Sequence, residues 1–205
     1  PRREATRVTL PLRYGLAGFG FIGRLHTIAV RAAPVLLAPE RWPGLELELA
    51  LVSERQAEPA RRAGFRHVVV TDDPAASLRE LATQGEVGID LLDVCLPNGL
   101  HAPAVKAALA TGLRLYCEKP LSGDLAEAEE IARVLAATSA KGAESDCPPT
   151  RERRTRTDQL AVAFNLRLDP LLALAHDVVA AGLLGELLHF SMRMLHGGYL
   201  DPSRP

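Results

Sequence analysis

The stretch RYGLAGFGFIGRLHTIAV, Arg13 to Val30, places Gly18, Gly20 and Gly23 in one turn between a short apolar run and an amphipathic one. In a G-x-G-x-x-G turn after a strand each glycine has its own task. Gly18 makes the tight bend, Gly20 removes a side chain where a pyrophosphate would approach, and Gly23 lets the following helix pack closely on the strand. A helix over Phe21 to Val30 then turns its free N–H groups and positive end toward the phosphates. Gly18, Phe19, Gly20, Phe21, Ile22 and Gly23 are therefore candidate cofactor-binding residues. Spacing alone is a weak signal, because ordinary tight turns use glycine too. Its position at the first strand-to-helix junction is what points to a dinucleotide.

Outward from this turn the apolar pattern alternates. LRYGLA, LELALVS, HVVVT, DLLDVCL, LRLYCE and QLAVAFN read as strands, most of them apolar on both faces, as strands covered on both sides must be. Helical spacing lies between them. The clearest case is Asp124 to Thr138, with Asp124 as cap, Glu127 completing a capping box, and Leu125, Ile131, Val134 and Leu135 as an apolar stripe. The alternation predicts an α/β fold, a Rossmann-type doubly wound parallel sheet. Asp169 followed by Pro170 opens a further helix, LLALAHDVVAAGLLG, which ends at Gly182 or Gly185, and the last apolar run of LLHFSMRMLHGG after it reads as one more strand, for which this sequence offers no partner strands.

Composition narrows the function classes. Of 205 residues, 47% are hydrophobic and 24% charged, and no apolar run reaches the length of a membrane span. The formal net charge is -1 and the arginines are scattered, so neither a nucleic acid nor a membrane is an expected partner. The basic cluster RERRTRT sits in a polar, proline-containing segment, Ser139 to Gln159, that reads as a solvated loop. Cys95, Cys117 and Cys147 form no CxxC pair, and neither His189 nor His196 has ligand spacing, so no metal is expected. Cys95 and Cys117 read as small core residues, since no basic partner lies near either in sequence. PRREATRVTL has no apolar core after its charges, which predicts a cytoplasmic, reducing location. The missing initiator Met and the DPSRP end suggest a piece of a longer product.

In doubly wound sheets ligands bind at the carboxyl ends of strands near the point where strand order reverses. The second strand ends in Ser53, Glu54 and Arg55. Ser53 and Arg55 suit a 2′-phosphate and hence NADP, whereas Glu54 suits a free ribose and hence NAD; the balance leans to NADP. The inserted APVLLAPERWPGLE lengthens the path to this tip, so its register is open. The fourth strand ends in LPNGLH and the fifth in CEKP. A lysine at a strand end beside a nicotinamide can hydrogen-bond an alcohol or carbonyl oxygen and relay its proton.

With GFGFIGRLH, DVCLPNGLHAPAVKAALATG, EKPLSGDLAEAEEI and AFNLRLDPLLALAHDVVAAGLLGE, the chain resembles the glucose-fructose oxidoreductase / inositol dehydrogenase (Gfo/Idh/MocA) family over most of its length. The resemblance implies an NAD(P)-dependent oxidoreductase moving hydride between nicotinamide and a sugar, polyol or related cyclic alcohol. It implies cofactor-side positions at Pro97, Asn98 and His101, a catalytic cation at Lys119, an orienting carboxylate at Glu118, and a cis bond between Lys119 and Pro120. His101 has an equal alternative as a first-turn helix residue making a local hydrogen bond. Asn165 and Arg167 match the crossover into a substrate domain, with Arg167 near the cleft or simply holding the junction. The implied division is a Rossmann domain over 1–164 and, over 165–205, the linking helix and first strand of an incomplete α+β substrate and oligomerisation domain. The family's Asp-x-x-x-His pair in that second domain has no counterpart here, and His196 does not replace it. A small-molecule substrate and a homo-oligomer at full length follow from the resemblance. The rival expectation is a catalytically silent nucleotide-binding or regulatory protein of the same fold.

Overall fold

The structure is a computed structural model that describes residues 11–37, 44–85, 88–141 and 159–193. It separates into two compact units, Pro1–Ala163 and Phe164–Pro205. The first contains β1 (Leu12–Ala17), α1 (Phe21–Leu36), β2 (Leu45–Val52), α2 (Glu54–Ala63), β3 (His67–Val70), α3 (Pro74–Gln84), β4 (Leu91–Val94), α4 (His101–Ala110), β5 (Arg114–Cys117), α5 (Leu125–Lys141) and β6 (Leu160–Val162). All strand pairings are parallel, in the order β3-β2-β1-β4-β5-β6. Strand order therefore reverses between β1 and β4, and the crevice at their carboxyl ends is where this topology receives ligands.

The two-residue repeat of each strand sends apolar groups to both sheet faces. On one face Leu49, Leu51, Leu92 and Val94 pack with Leu78 of α3 and Val105 of α4. On the other, Tyr14, Leu16, Ala50 and Val52 pack with Ala57 and Ala60 of α2 and with Phe65. A register shift at Tyr14/Gly15 leaves Glu48 as the extra residue of β2, where Arg66 and His67 pair with its carboxylate.

Local signals place the helix starts. Asp73 accepts from the Ala76 N–H ahead of α3, and Asp124 accepts from the Glu127 N–H ahead of α5. The Glu127 carboxylate returns to the N–H of Gly123, not to that of the cap itself. The expected stripe on α5 holds for Ile131, Val134 and Leu135 but not for Leu125, which is exposed. Leu125 lies six positions before Ile131, roughly a third of a turn around the helix, and so points off the sheet. Helix α1 runs beyond Val30 to Leu36, through Pro34.

The second unit has a short 3₁₀ turn, Asn165–Leu168, and α6 (Pro170–Ala180), capped by Asp169, whose carboxylate accepts from the N–H groups of Leu171 and Leu172. Residues 187–193, the described part of LLHFSMRMLHGG, are exposed and join no strand ladder among the described residues. An alternating pattern becomes a strand only when an edge accepts its hydrogen bonds. Residues 194–198 of that run, His196 among them, lie outside the described residues, as do Cys147, RERRTRT, PRREATRVTL, DPSRP and residues 38–43 of the insertion.

Candidate active site

The glycine turn leaves β1 with Gly18 at φ +93, a conformation that L side chains rarely adopt. A Cβ there would also stand 2.6 Å from the carbonyl oxygen of Cys95. At Gly23 a Cβ would collide with the carbonyl oxygen of Gly18, so the third glycine lets α1 fold back onto its own turn. At Gly20 the nearest atom to a Cβ is the Gln56 Nε2 at 3.8 Å. Among the described residues no other atom comes within 4 Å of that position, and Gly20 starts α1 with no side-chain cap. An open backbone position beside an uncapped helix start fits a bound diphosphate.

A cleft of about 410 Å³ opens here, walled among others by Gly18, Gly20, Ser53, Arg55, Gln56 and Pro97. Phe21 and Ile22 complete it on the α1 side, and Thr71 and Asp72 on the β3 side. Phe19 lies behind the turn, nearly buried, with its N–H donated to Gln56 Oε1 at 3.2 Å and the Arg24 guanidinium 5.6 Å from its ring centre. Glu54 opens α2 with its side chain outside the cleft wall. Gln56, Thr71 and Asp72 were not singled out in the sequence. Gln56 lies one residue beyond the strand tip Ser53-Glu54-Arg55, and Thr71 and Asp72 follow β3 as Ser53 follows β2.

The tips of β4 and β5 stand next to the turn. The Cys95 N–H donates to the Ala17 carbonyl at 2.8 Å, and the Glu118 N–H donates to the Val94 carbonyl at 2.9 Å. Pro97 precedes the short 3₁₀ turn Asn98–Leu100, where Asn98 is exposed beyond the cleft wall. His101 is fully buried, with Nε2 2.7 Å from the Leu96 carbonyl and Nδ1 2.6 Å from that of Pro120. It ties the β4 tip to the β5 tip and turns no ring atom toward the cleft; on geometry it is a brace. Lys119 is exposed, and among the described residues no hydrogen bond or ion pair engages its ammonium. Its own N–H donates to Glu118 Oε2 at 3.1 Å, and the Lys119–Pro120 bond is cis. Arg167 belongs to the second unit, where it lines a separate hollow of about 540 Å³ with Leu166, Leu172, Ala173, His176 and Asp177. That hollow is larger than the first but has no glycine turn and no strand tip.

A polar cluster built around the buried Asp93 lies under the turn, outside the sequence motifs. His26, one helical turn past Gly23, sets Nδ1 2.8 Å from Asp93 Oδ2 and Nε2 3.3 Å from Glu118 Oε1. The Tyr14 hydroxyl donates to the same Asp93 oxygen at 2.6 Å. Cys95 Sγ lies 3.3 Å from His26 Nδ1 and donates to Asp93 Oδ1 at 3.4 Å. Cys95 thus has the basic neighbour that its local sequence lacks, yet burial, with the Asp93 charge adding, pushes its thiol far above the ordinary range and keeps it neutral. Burial likewise pushes the Cys117 thiol up to about 12. The donor atoms of His26, Asp93 and Cys95 lie within 4.8 Å of one another, at separations that hydrogen bonds explain without an ion. The hydrogen bond to Asp93 raises the His26 imidazole above its ordinary value, outweighing burial. One signal in the sequence would have found this cluster: an acid in the middle of the otherwise apolar β4.

Among the described residues no helix is long and apolar enough to cross a membrane. Residues 12–143 match the Gfo/Idh/MocA family model, described as an oxidoreductase family with an NAD-binding Rossmann fold. The chain is 30% identical over 204 residues to levoglucosan dehydrogenase of Pseudarthrobacter phenanthrenivorans, covering 95% of this chain and 43% of that protein. It is 24% identical over 197 residues to inositol 2-dehydrogenase of Rhizobium meliloti, covering 96% of this chain and 47% of that one. A solved levoglucosan dehydrogenase in complex with NADH and levoglucosan superposes with a TM-score of 0.65 at 26% identity, over 87% of this chain and 41% of that one. The chain spans less than half the length of these relatives. With a matched model over more than half of its residues and the glycine turn, strand order and strand tips in place, the chain belongs to the Gfo/Idh/MocA oxidoreductase family, with an NAD-binding Rossmann fold.

Proposed function

We propose that this chain is the cofactor-binding part of a dehydrogenase acting on the CH–OH group of a sugar, polyol or related cyclic alcohol, with Lys119 as its catalytic cation. The observation that carries the proposal is the open Gly20 position, facing a cleft walled by the β4 tip at Cys95, Leu96 and Pro97, with the Lys119-bearing β5 tip bonded alongside through the Glu118 N–H to the Val94 carbonyl. The relatives named levoglucosan dehydrogenase and inositol 2-dehydrogenase support the substrate class. A bound nicotinamide supplies the hydride acceptor or donor. The chain's own residues do the rest. Gly18, Gly20 and the first turn of α1 hold the diphosphate, and Pro97 walls the cleft beyond it. Lys119, its ammonium free of partners among the described residues, hydrogen-bonds the reacting oxygen and moves its proton.

We infer NADP as the preferred form, because Ser53 and Arg55 line the cleft and Glu54 does not. Asp72 on the same wall is an acceptor suited to a free ribose and would favour NAD. Fluorescence titration of the full-length protein with NADH and NADPH tests both points. Tighter NADPH binding, weakened about tenfold or more by Arg55→Ala while NADH binding is unchanged, supports the assignment. Tighter NADH binding, insensitive to Arg55→Ala, reverses the cofactor assignment, and failure of both ligands to bind sinks the oxidoreductase reading.

A further inference from the structure

We propose that His26 is a positioning residue for the catalytic tip of β5, holding the Glu118 carboxylate that in turn holds the backbone of Lys119. The inference rests on the reading of Lys119 as the catalytic cation. The contacts form one unbroken chain. Asp93, almost fully buried on β4, takes hydrogen bonds from Tyr14 and His26 and fixes the ring from the Nδ1 side. The opposite nitrogen, Nε2, faces Glu118 Oε1 at 3.3 Å. The other oxygen of that carboxylate accepts the Lys119 N–H at 3.1 Å. The Tyr116 ring, 5.8 Å between centres and tilted 43° to the imidazole, supports its outer side.

Placement on α1 gives the arrangement its meaning. His26 lies on the helix that is capped by Gly20 and carries Gly23 in its first turn, so one element touches the diphosphate site and the lysine-bearing tip at once. Both ring nitrogens face carboxylate oxygens, and both can donate only when the ring is an imidazolium. A neutral ring keeps one N–H. The bond to Asp93 is shorter and more deeply buried than the bond to Glu118, so Glu118 is the partner released when the proton leaves. The titratable groups around the ring are Asp93 and Cys95 from β4, Tyr116 and Glu118 from β5 and, through Asp93, Tyr14 from β1. No residue in this chain of contacts except Lys119 need meet the substrate.

The test is a double-mutant cycle in the full-length protein, with His26→Gln, Glu118→Gln and the pair, reading kcat, NADH or NADPH affinity, thermal midpoint and pH profile. The expected result is a kcat lowered about tenfold by His26→Gln with cofactor affinity within about threefold of wild type, and less than a twofold further loss when Glu118→Gln is already present. The wild-type rate falls toward alkaline pH along a limb that His26→Gln lacks. Equal losses in both backgrounds, or an undiminished kcat in a folded variant, overturn the inference. If wild type neither binds cofactor nor turns over, the proposed function fails, and a separate readout decides this point. In ¹⁵N-lysine-labelled protein the Lys119 amide shift is expected to titrate with His26 and to stop doing so in Glu118→Gln; a flat Lys119 amide in wild type overturns the coupling.

Discussion

The Cα of Gly23 stands so close to the carbonyl oxygen of Gly18 that a methyl group at position 23 would overlap it, whereas a methyl group at position 20 would meet nothing nearer than 3.8 Å. The two substitutions are therefore expected to fail differently. Gly23→Ala should lower stability by about 1–3 kcal/mol, the usual cost of overpacking, because the collision is with backbone. Gly20→Ala should cost about 1 kcal/mol or less in stability, yet place its methyl where the diphosphate approaches, weakening cofactor binding about tenfold or more. Thermal unfolding and cofactor titration on the two variants check this, and equal affinity loss at unequal stability would contradict the division of labour.

Lys119→Met keeps the side-chain length and removes the charge. In the full-length protein kcat should fall about 10²- to 10⁴-fold, the range for loss of a proton-transfer group, with cofactor affinity changed only a few-fold. Steady-state kinetics with a polyol or sugar substrate provide the measurement. A kcat within a factor of three of wild type would remove Lys119 from the chemistry.

His101→Leu removes the ring whose two nitrogens face the Leu96 and Pro120 carbonyls, leaving a buried acceptor without its donor. A buried acceptor left unsatisfied costs about 1–3 kcal/mol, so a clear drop in thermal midpoint is expected, together with weaker cofactor binding as the LPN and EKP tips loosen. Weaker binding at an unchanged midpoint would make His101 a ligand contact instead of a brace.

Stability should depend on pH through His26. Its hydrogen bond to Asp93 raises the folded value above the ordinary 6.5 against the opposing effect of burial, and the charges of Asp93 and Glu118 add to the rise. Below the ordinary value the ring is protonated in folded and unfolded chains, and the stabilisation is present in full. It is lost as pH climbs through the raised folded value, because over that window the folded chain binds the extra proton. Melting wild type and His26→Gln at a series of pH values from 6 upward should show the gap between them closing as pH rises. Parallel curves would disprove the linkage.

The sheet and the turn were legible for a local reason. Six apolar runs separated by helical spacing, with a glycine turn after the first, leave few topologies open, and each signal lies within a few residues of what it specifies. The roles of Gly18, Gly20 and Gly23 follow from backbone sterics alone. What stayed hidden depends on pairing at a distance. His26 meets Asp93 only because β4 lies beside β1, and Glu118 only because β5 lies beside β4. Nothing adjacent to His26 in sequence announces either carboxylate. Leu125 departs from the expected stripe because composition names an apolar residue without naming its angle on the helix, and a place in the glycine turn does not by itself say that the Phe19 side chain is buried. Residues 187–193 join no ladder among the described residues, since alternation describes a willing edge and says nothing of a partner.

The central position of β1, with β2 on one side and β4 on the other, also bears on the order of assembly during synthesis. A nascent chain that has emerged only through α3 can pair β1 with β2 and β2 with β3, but its first strand then ends the ribbon with an open row of N–H and C=O groups on the side reserved for β4. Tyr14 would wait there for Asp93, and α1 for the wall that His26 leans on. Such an unfinished edge invites strands from neighbouring chains, so a ribosome pause just before Leu91 would be a point of aggregation risk, and holdase chaperones would be expected to engage the polypeptide at that length.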